Sequence, residues 1–333
     1  MKRLIILFMM TLFTTTLSAA IITVDINHPS IGDYKTLQEA HDAASLGDTI
    51  YVYPSLSRYD GISVTKQLKI IGAGFLYDSA VNGVYPSRIT SMSFKAGSEG
   101  SELKGFEAYQ IDIETDNITV KNNYCFGIFV HSSANGIIII HNKIINQSDS
   151  SLDVAIKVSS YTHVLISNNI IVSKKVGSYS IISFNDTSLY ISHNVIEAVY
   201  GALYFSVRVN GIVMNNIVRS GNVWGNSVEY FNNMSQSTQF DSFSGAGNIG
   251  NIDMTTVFVD PTNFDYKLKT DSPAIGAGYS GEDLGIYGGN SPYIDNGAGT
   301  GIPTIISLIG QPFVPSDSPT MNLSIKATSG ITE

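Results

Sequence analysis

One phrase recurs along this chain and constrains its fold more than any other feature: two or three β-branched or aliphatic residues, an asparagine, then more apolar residues. It appears as ITVKNNYC ending on Asn123, IIIIHNKII on Asn142, VLISNNIIV on Asn169, LYISHNVIE on Asn194, GIVMNNIVR on Asn216 and VEYFNNMSQ on Asn233. The spacings between these asparagines are 19, 27, 25, 22 and 17 residues. A fixed phrase at a variable interval is what a coil produces when each turn contributes the same short strands and differs only in its loops. Strands in register from turn to turn stack at ~4.8 Å and bury one face against the interior. The six asparagines then fall one above another at a bend, where each amide can bond its neighbour. They are read as a structural ladder.

Earlier turns are less regular. QLKIIGAGF (67–75), SRITSMSF (87–94) and SELKGFEA (101–108) carry glycine or serine where later turns carry asparagine, and glycine suits a tight bend. Counting these, eight or nine rungs make a rod on the order of 40 Å long. The end of such a coil exposes an apolar core and an unpaired strand edge, so it needs a cover. At the front, Thr36-Leu37-Gln38-Glu39 fits a capping box, and Leu37, Ala40, Ala43 and Ala44 are helically spaced. A helix is therefore expected over 36–46, followed by strand from Ile50 and a coil running to about Asn233.

Charged residues are only 14% of the chain, a composition suited to short strands joined by polar turns rather than to amphipathic helices. Residues 1–20 read as a secretory signal: Lys2 and Arg3, the apolar run Leu4–Phe13, then Ser18-Ala19-Ala20. The run is well short of the ~20 residues that span a bilayer, and no later segment is apolar enough to do so. A secreted, extracellular or cell-surface location is expected. Residues 1–20 carry two basic and no acidic side chains, so their removal takes the formal charge from −9 to −11, which argues against nucleic acid or an anionic membrane as partner. The single cysteine, Cys125, has no internal partner and reads as a small buried side chain.

The passage TVDINHPSIGDYKTLQEAHDAASLGDTIYVYP followed by GISVTKQLKIIGAG resembles the entry region of pectin-lyase-like right-handed parallel β-helix proteins, and the asparagine phrases resemble their repeats. TVFVDPTNFDYKLKTDSPAIGAG and DLGIYGG (257–289) resemble the closing segment of secreted bacterial β-helix proteins. The resemblance implies an all-β, right-handed parallel β-helix over 21–290, with an N-terminal cap and a closing segment. Residues 291–333, with a linker-like Gly297–Gly301 and the strand-like IPTIISLIG and MNLSIKA, form a linker and a short β extension or truncated module.

That superfamily holds lyases, hydrolases, esterases, adhesins and non-catalytic proteins, so function must come from side chains. In IDIETD, Asp112, Glu114 and Asp116 alternate with apolar residues and could begin a calcium site. Lys157 interrupts the apolar run Val154–Val158, Tyr204 takes the matching place two rungs on as a glycan contact, and Arg208 lies nearby. In lyases of this fold a Lys or Arg removes the proton beside a calcium-bound uronate carboxylate, so Lys157 or Arg208 with the three acids would be a skeletal version of that. The alternative for Lys157 is an outward side chain whose stem covers Ile182 and Val130. His131, His141, His163 and His193 form no metal motif, and no Asp-Asp pair occurs. The reading favoured is a non-catalytic protein that binds glycan or a cell-surface partner along a strand face. A calcium-dependent uronate lyase and a structural rod are the alternatives.

Overall fold

The computed structural model describes residues 19–295 apart from 29–30, 76–84, 133, 148–151, 160–161, 185–186, 207, 226, 241 and 244, together with the backbone of two later strands. Residues 1–18 of the expected signal, the Gly297–Gly301 stretch and the proline-bearing 311–319 lie outside the described residues. The chain is a parallel β-helix. One sheet, here sheet A, has ten parallel strands running from Ile21–Val24 to Glu229–Phe231, one per turn. Ile50, Ile70, Leu103, Val120, Ile139, Ile166, Ile191, Val213 and Tyr230 stand in one column through this ladder, each 0% exposed. Alternation along each strand sends their neighbours outward, which is why a period-two pattern builds a one-sided core.

The second sheet, sheet B, forks. Ser87–Phe94, Phe106–Ile113 and Tyr124–Val130 are long and cross its whole width. Above Tyr124–Val130 the strand splits: Tyr124 and Cys125 pair with Lys143 and Ile144, while Ile128–Val130 pair with Ile156–Val158. One wing then runs through Lys143–Asn146, Ile170–Ser173, Val195–Ala198, Ile217–Val218 and Met234–Ser235. The other runs through Val154–Val158, Tyr179–Ser183, Gly201–Phe205 and Asn222–Trp224. Cys125 sits at the fork, fully buried, and burial pushes its thiol far above the ordinary range.

The bend between sheet A and the first wing is made by pairs of residues. The first of each pair adopts left-handed backbone: Asn122, His141, Asn168, His193, Asn215 and Asn232 have φ between 50° and 57°, and Gly105 and Gly247 do the same at the two ends. Asparagine, histidine and glycine are the residues that tolerate this region. The second of each pair is the ladder asparagine. The backbone N–H of Asn142 donates to Asn169 Oδ1 (2.8 Å), that of Asn169 to Asn194 Oδ1 (2.9 Å), and that of Asn194 to Asn216 Oδ1 (2.9 Å). Each Nδ2 donates in turn to carbonyls of its own turn and of a neighbouring one, as Asn169 does to Ser167 and Ile139. All six expected asparagines are fully buried, and Asn248 extends the ladder by one rung. Two turns below Asn123, Ser87 stands in the same column, its hydroxyl donating to Val52 O and accepting from Ala73 N–H.

The front cap is helix Leu37–Ala43, with the Thr36 and Glu39 capping box formed in both directions. It is shorter than the expected 36–46, and His41 rather than Ala43 turns inward, its Nε2 accepting the Thr65 N–H at 3.1 Å. The coil also starts earlier than expected: Ile21–Val24 precedes the helix yet pairs in register with Thr49–Val52.

The closing segment is not an end plug. Residues 254–293 run back down the outside of the first wing, and Met254, Val257, Phe258, Tyr266, Leu284, Ile286 and Tyr293 form a second core with the outward Ile145, Ile170, Val172, Val195 and Ile217. Lys143 and Lys174 lie 4.2 and 5.0 Å from the Phe264 ring centroid. The left-handed column ties this strap down in reverse order. Asn232 donates to Ala277 O, Asn215 accepts from Tyr279 N–H, His193 meets Glu282 at 3.1 Å, Asn168 donates to Ile286 and Gly288 carbonyls, and His141 meets Ser291 O at 2.7 Å. Further on, Thr304–Gly310 and Leu323–Thr328 pair antiparallel. No helix among the described residues is long and apolar enough to cross a membrane.

Replacing one ladder asparagine leaves the buried N–H of the asparagine on the preceding rung without its acceptor. Asn169→Ala or Asn194→Ala should cost on the order of 1–3 kcal/mol in urea unfolding; an unchanged midpoint would contradict the ladder's role. A second outcome concerns pH. Burial depresses His141 and His193 below their ordinary 6.5, so below that value the unfolded chain takes up protons that the folded chain does not. Stability should fall as pH drops from 7.5 to 5, and the fall should be smaller in the His141→Gln, His193→Gln double variant. An equal fall in both proteins would rule out these two groups as its source.

Candidate functional site

The strap packs on the first wing, and among the described residues the second wing is the face of sheet B that it does not cover. Its outward row is set by strand pairing: Ser93, Asp112, Phe129, Lys157, Ile182, Tyr204 and Trp224 stand on successive turns. Lys157 therefore lies two rungs, about 10 Å, from Asp112 on one side and from Tyr204 on the other. Its neighbour on the preceding rung is Phe129 rather than the inward, fully buried Val130. The Lys157 side chain is exposed, with its ammonium 5.8 Å from the Phe184 ring centroid.

The acids do not gather. The strand ends at Ile113, so Glu114 and Asp116 follow it rather than continuing its alternation. Asp112 accepts from Gln110 Nε2 (2.8 Å) and meets His131 Nε2 (3.0 Å), Glu114 pairs with Lys95 (2.6 Å), and Asp116 accepts the Asn135 N–H (2.7 Å). Each is committed to a different group, so the three do not fit the shell of six or more oxygens that calcium needs. Among the described residues no cluster of three or more His, Cys, Asp or Glu could hold a metal. Arg208 is exposed in the turn between Gly201–Phe205 and Asn210–Met214, off the strand row that carries Lys157. His163 bonds Asn135 Oδ1 and His131 bonds Asp112, apart from the two histidines under the strap.

The row ends in an aromatic cluster. Tyr179 lies 5.4 Å from Tyr204, 5.5 Å from Tyr200 and 5.9 Å from Trp224, and Tyr200 lies 5.4 Å from Trp224, all centroid to centroid and tilted or edge-on. Such geometry matches the ring quadrupoles and fixes each ring against its neighbour. Gly201 makes it possible: a Cβ there would strike the Tyr179 ring and approach Trp224 Cζ3 to 2.9 Å. The cluster is open to solvent, with Tyr200 44% exposed. Partial burial and the neighbouring Tyr200 and Tyr204 hydroxyls raise the Tyr179 phenol above its ordinary value. Beside Trp224 lies a hollow of about 570 Å³, with Phe205, Gly225, Ser227, Ser242 and Phe243 in its walls.

Tyr204 is legible in the sequence as an outward aromatic, whereas nothing in the repeat alone marks Tyr179, Tyr200 or Trp224. Carrying the same register one turn further places the chain's single tryptophan directly above Tyr204.

No family model matches the chain, and no curated protein matches it. Among solved structures, it is similar to the catalytic domain of a GH87 alpha-1,3-glucanase in complex with tetrasaccharides, at 13% identity and a TM-score of 0.32. That match covers 61% of this chain and 54% of the other, so it spans about half the length of the glucanase domain. A likeness this remote says nothing of chemistry, and the class of the molecule rests on its own strand pairing: a parallel β-helix with one strapped wing and one open wing.

Gly201→Ala should push Tyr179 and Trp224 apart without unfolding the coil. Because the chain has one tryptophan, its emission reads this contact directly. A shift to longer wavelength is expected, and an unchanged spectrum would mean that the rings do not depend on the glycine.

Proposed function

We propose that this protein is a secreted or cell-surface β-helix of the pectin-lyase-like type that binds a polysaccharide along its open wing. The observation that carries the reading is the half-exposed cluster of Tyr179, Tyr200, Tyr204 and Trp224 at the end of a row of outward side chains. A pyranose has an apolar face of C–H bonds and a rim of hydroxyls. Aromatic rings receive the face, and phenol hydroxyls, which both donate and accept, serve the rim. The ~4.8 Å rise per rung is comparable to the length of one sugar along an extended chain, so consecutive sugars can meet consecutive rungs.

Binding is favoured over bond cleavage because the acids along the open wing are already engaged. Glycoside hydrolysis needs two carboxylates facing one bond, and here Asp112 and Glu114 answer His131 and Lys95. The lyase alternative keeps one specific point in its favour: Lys157 is a solvent-exposed cation on the same row as the aromatic cluster. Ser291 and Tyr293 belong to the strap rather than to the linker expected from residue 291 on, and the residues after Asp295 are proposed as a linker and a small β module.

The test is a titration of the mature protein with soluble xylan, homogalacturonan, laminarin and carboxymethyl cellulose, monitored by Trp224 emission. At least one should bind, and Trp224→Ala and Tyr204→Ala should each weaken it about tenfold or more, ~1.4 kcal/mol, by affinity electrophoresis, with unfolding midpoints within experimental error of the parent. Binding unaffected by either substitution, or by none of the four polymers, would refute the proposal. Appearance of unsaturated uronate that vanishes in Lys157→Ala would replace it with the lyase reading.

A further inference from the structure

Two sets of strands in this molecule are apolar on both sides. One is the first wing, where Ile144, Ile171 and Ile196 point into the coil while Ile145, Ile170, Val172 and Val195 point outward under the strap. The other is the upper part of sheet A, where Ile137–Ile140, His163–Ser167, Ser188–Ser192 and Asn210–Met214 carry the runs IIII, VLI, LYI and IVM. Unbroken apolar runs mark strands covered on both faces, whereas a strand with one wet face alternates. The first wing has its cover. The outward residues of the sheet A runs belong to neither apolar core among the described residues.

Those residues form one patch. Ile138, Leu165, Tyr190 and Ile212 stand in file on four successive rungs, with Ile140 beside the first and Met214 beside the last. Tyr190 is 41% exposed, and the other five are half-buried by their neighbours. Below Ile138 the same file changes character: Thr119, Glu102 and Lys69 follow, and Glu102 pairs with Lys121 at 3.0 Å. The apolar stretch is therefore confined to ~15 Å of the coil.

A segment that fits the patch lies in the chain itself. The strap's last fastening to the bend is His141 to Ser291 O, and His141 directly follows Ile140, so the chain leaves the strap beside the lowest rung of the patch. From Asp295, which accepts from the Tyr287 hydroxyl, the chain to Thr304 spans up to about 30 Å. The hairpin of Thr304–Gly310 and Leu323–Thr328 is two-sided. Its register shifts at a bulge between Ile305 and Ser307, and the pairing places Ile305, Leu308, Leu323, Ile325 and Ala327 on one face and Ser307, Ile309, Ser324 and Lys326 on the other. Among the described residues it pairs with no other strand, and a two-stranded hairpin is marginal in water unless its apolar face is packed.

We infer that this hairpin packs its apolar face on the outer side of sheet A, over Ile138, Leu165, Tyr190 and Ile212. The chain that follows the coil then covers both doubly apolar surfaces, first as the strap and then as a second layer ~10 Å from sheet A. Ser324 and Lys326 come to face water. The inference is independent of the glycan reading, because the open wing takes no part in it.

The experiment uses the full chain as a purified monomer. Hydroxyl-radical footprinting of the unsubstituted protein compares two tyrosines that the described residues leave equally open, Tyr190 at 41% and Tyr200 at 44% exposure. Tyr190 should be modified several-fold more slowly than Tyr200. Leu165→Cys is then combined with Leu308→Cys, Ile325→Cys or Ser324→Cys, the native Cys125 being buried, and disulfides formed under mild oxidation are identified by the mass of the linked peptides. At least one of Leu308→Cys and Ile325→Cys should link to Leu165→Cys within the monomer, at least tenfold more than Ser324→Cys does. Equal modification of the two tyrosines would overturn the inference, as would the absence of a link within the monomer or no preference over Ser324→Cys. Links formed only between two molecules would also overturn it, and would make a second copy the occupant of the patch.

Discussion

The bend between sheet A and the strapped wing is the constraint on which the rest of this structure depends. A chain that turns sharply once per rung leaves an N–H without a strand partner at the same place on every rung, deep enough that water cannot serve it. Orphaned buried groups of this kind cost ~1–3 kcal/mol each. The ladder asparagine answers it: its Oδ1 takes the N–H of the asparagine on the preceding rung, and its Nδ2 adds a donor to carbonyls on both rungs. Because the Oδ1 bonds reach from one turn to the next, the ladder also sets the register of the coil. The residue before it has to be left-handed, and using Asn or His there gives every turn a polar side chain that points out of the bend.

Those outward side chains decide which face of the molecule can work. Asn232, Asn215, His193, Asn168 and His141 fasten residues 277–291 along the bend, and the strap's apolar side chains bury the outward face of the first wing. The same sequence device thus holds the coil together from inside and closes one surface from outside. The other wing remains open, and there the outward row is free to carry exposed aromatic and cationic groups rather than a second core.

The repeat makes the coil readable because a ladder needs the same residue at the same place, whatever the loop lengths between. Its register is readable too: Asp112, Lys157 and Tyr204 stand two rungs apart, as counting from the asparagines implies. The strap is not readable, because its contacts to His141 and Asn168 cross more than a hundred residues and follow no period. The three acids mislead for a related reason. Alternation holds only while a strand lasts, and this one ends at Ile113, between the first acid and the other two. The aromatic cluster is hidden by its assembly from three turns, with Tyr179, Tyr200 and Trp224 brought together across a glycine.

Native-state hydrogen exchange tests the central claim most directly, because the ladder's backbone amides donate to side chains rather than to strand partners. The N–H groups of Asn142, Asn169, Asn194 and Asn216 should exchange as slowly as those of the fully buried core column at Ile139, Ile166 and Ile191, opening only with global unfolding. Exchange of those four amides at the rate of the surface turns, while the core column stays protected, would mean that the bend is solvated and that the asparagines do not hold the coil together.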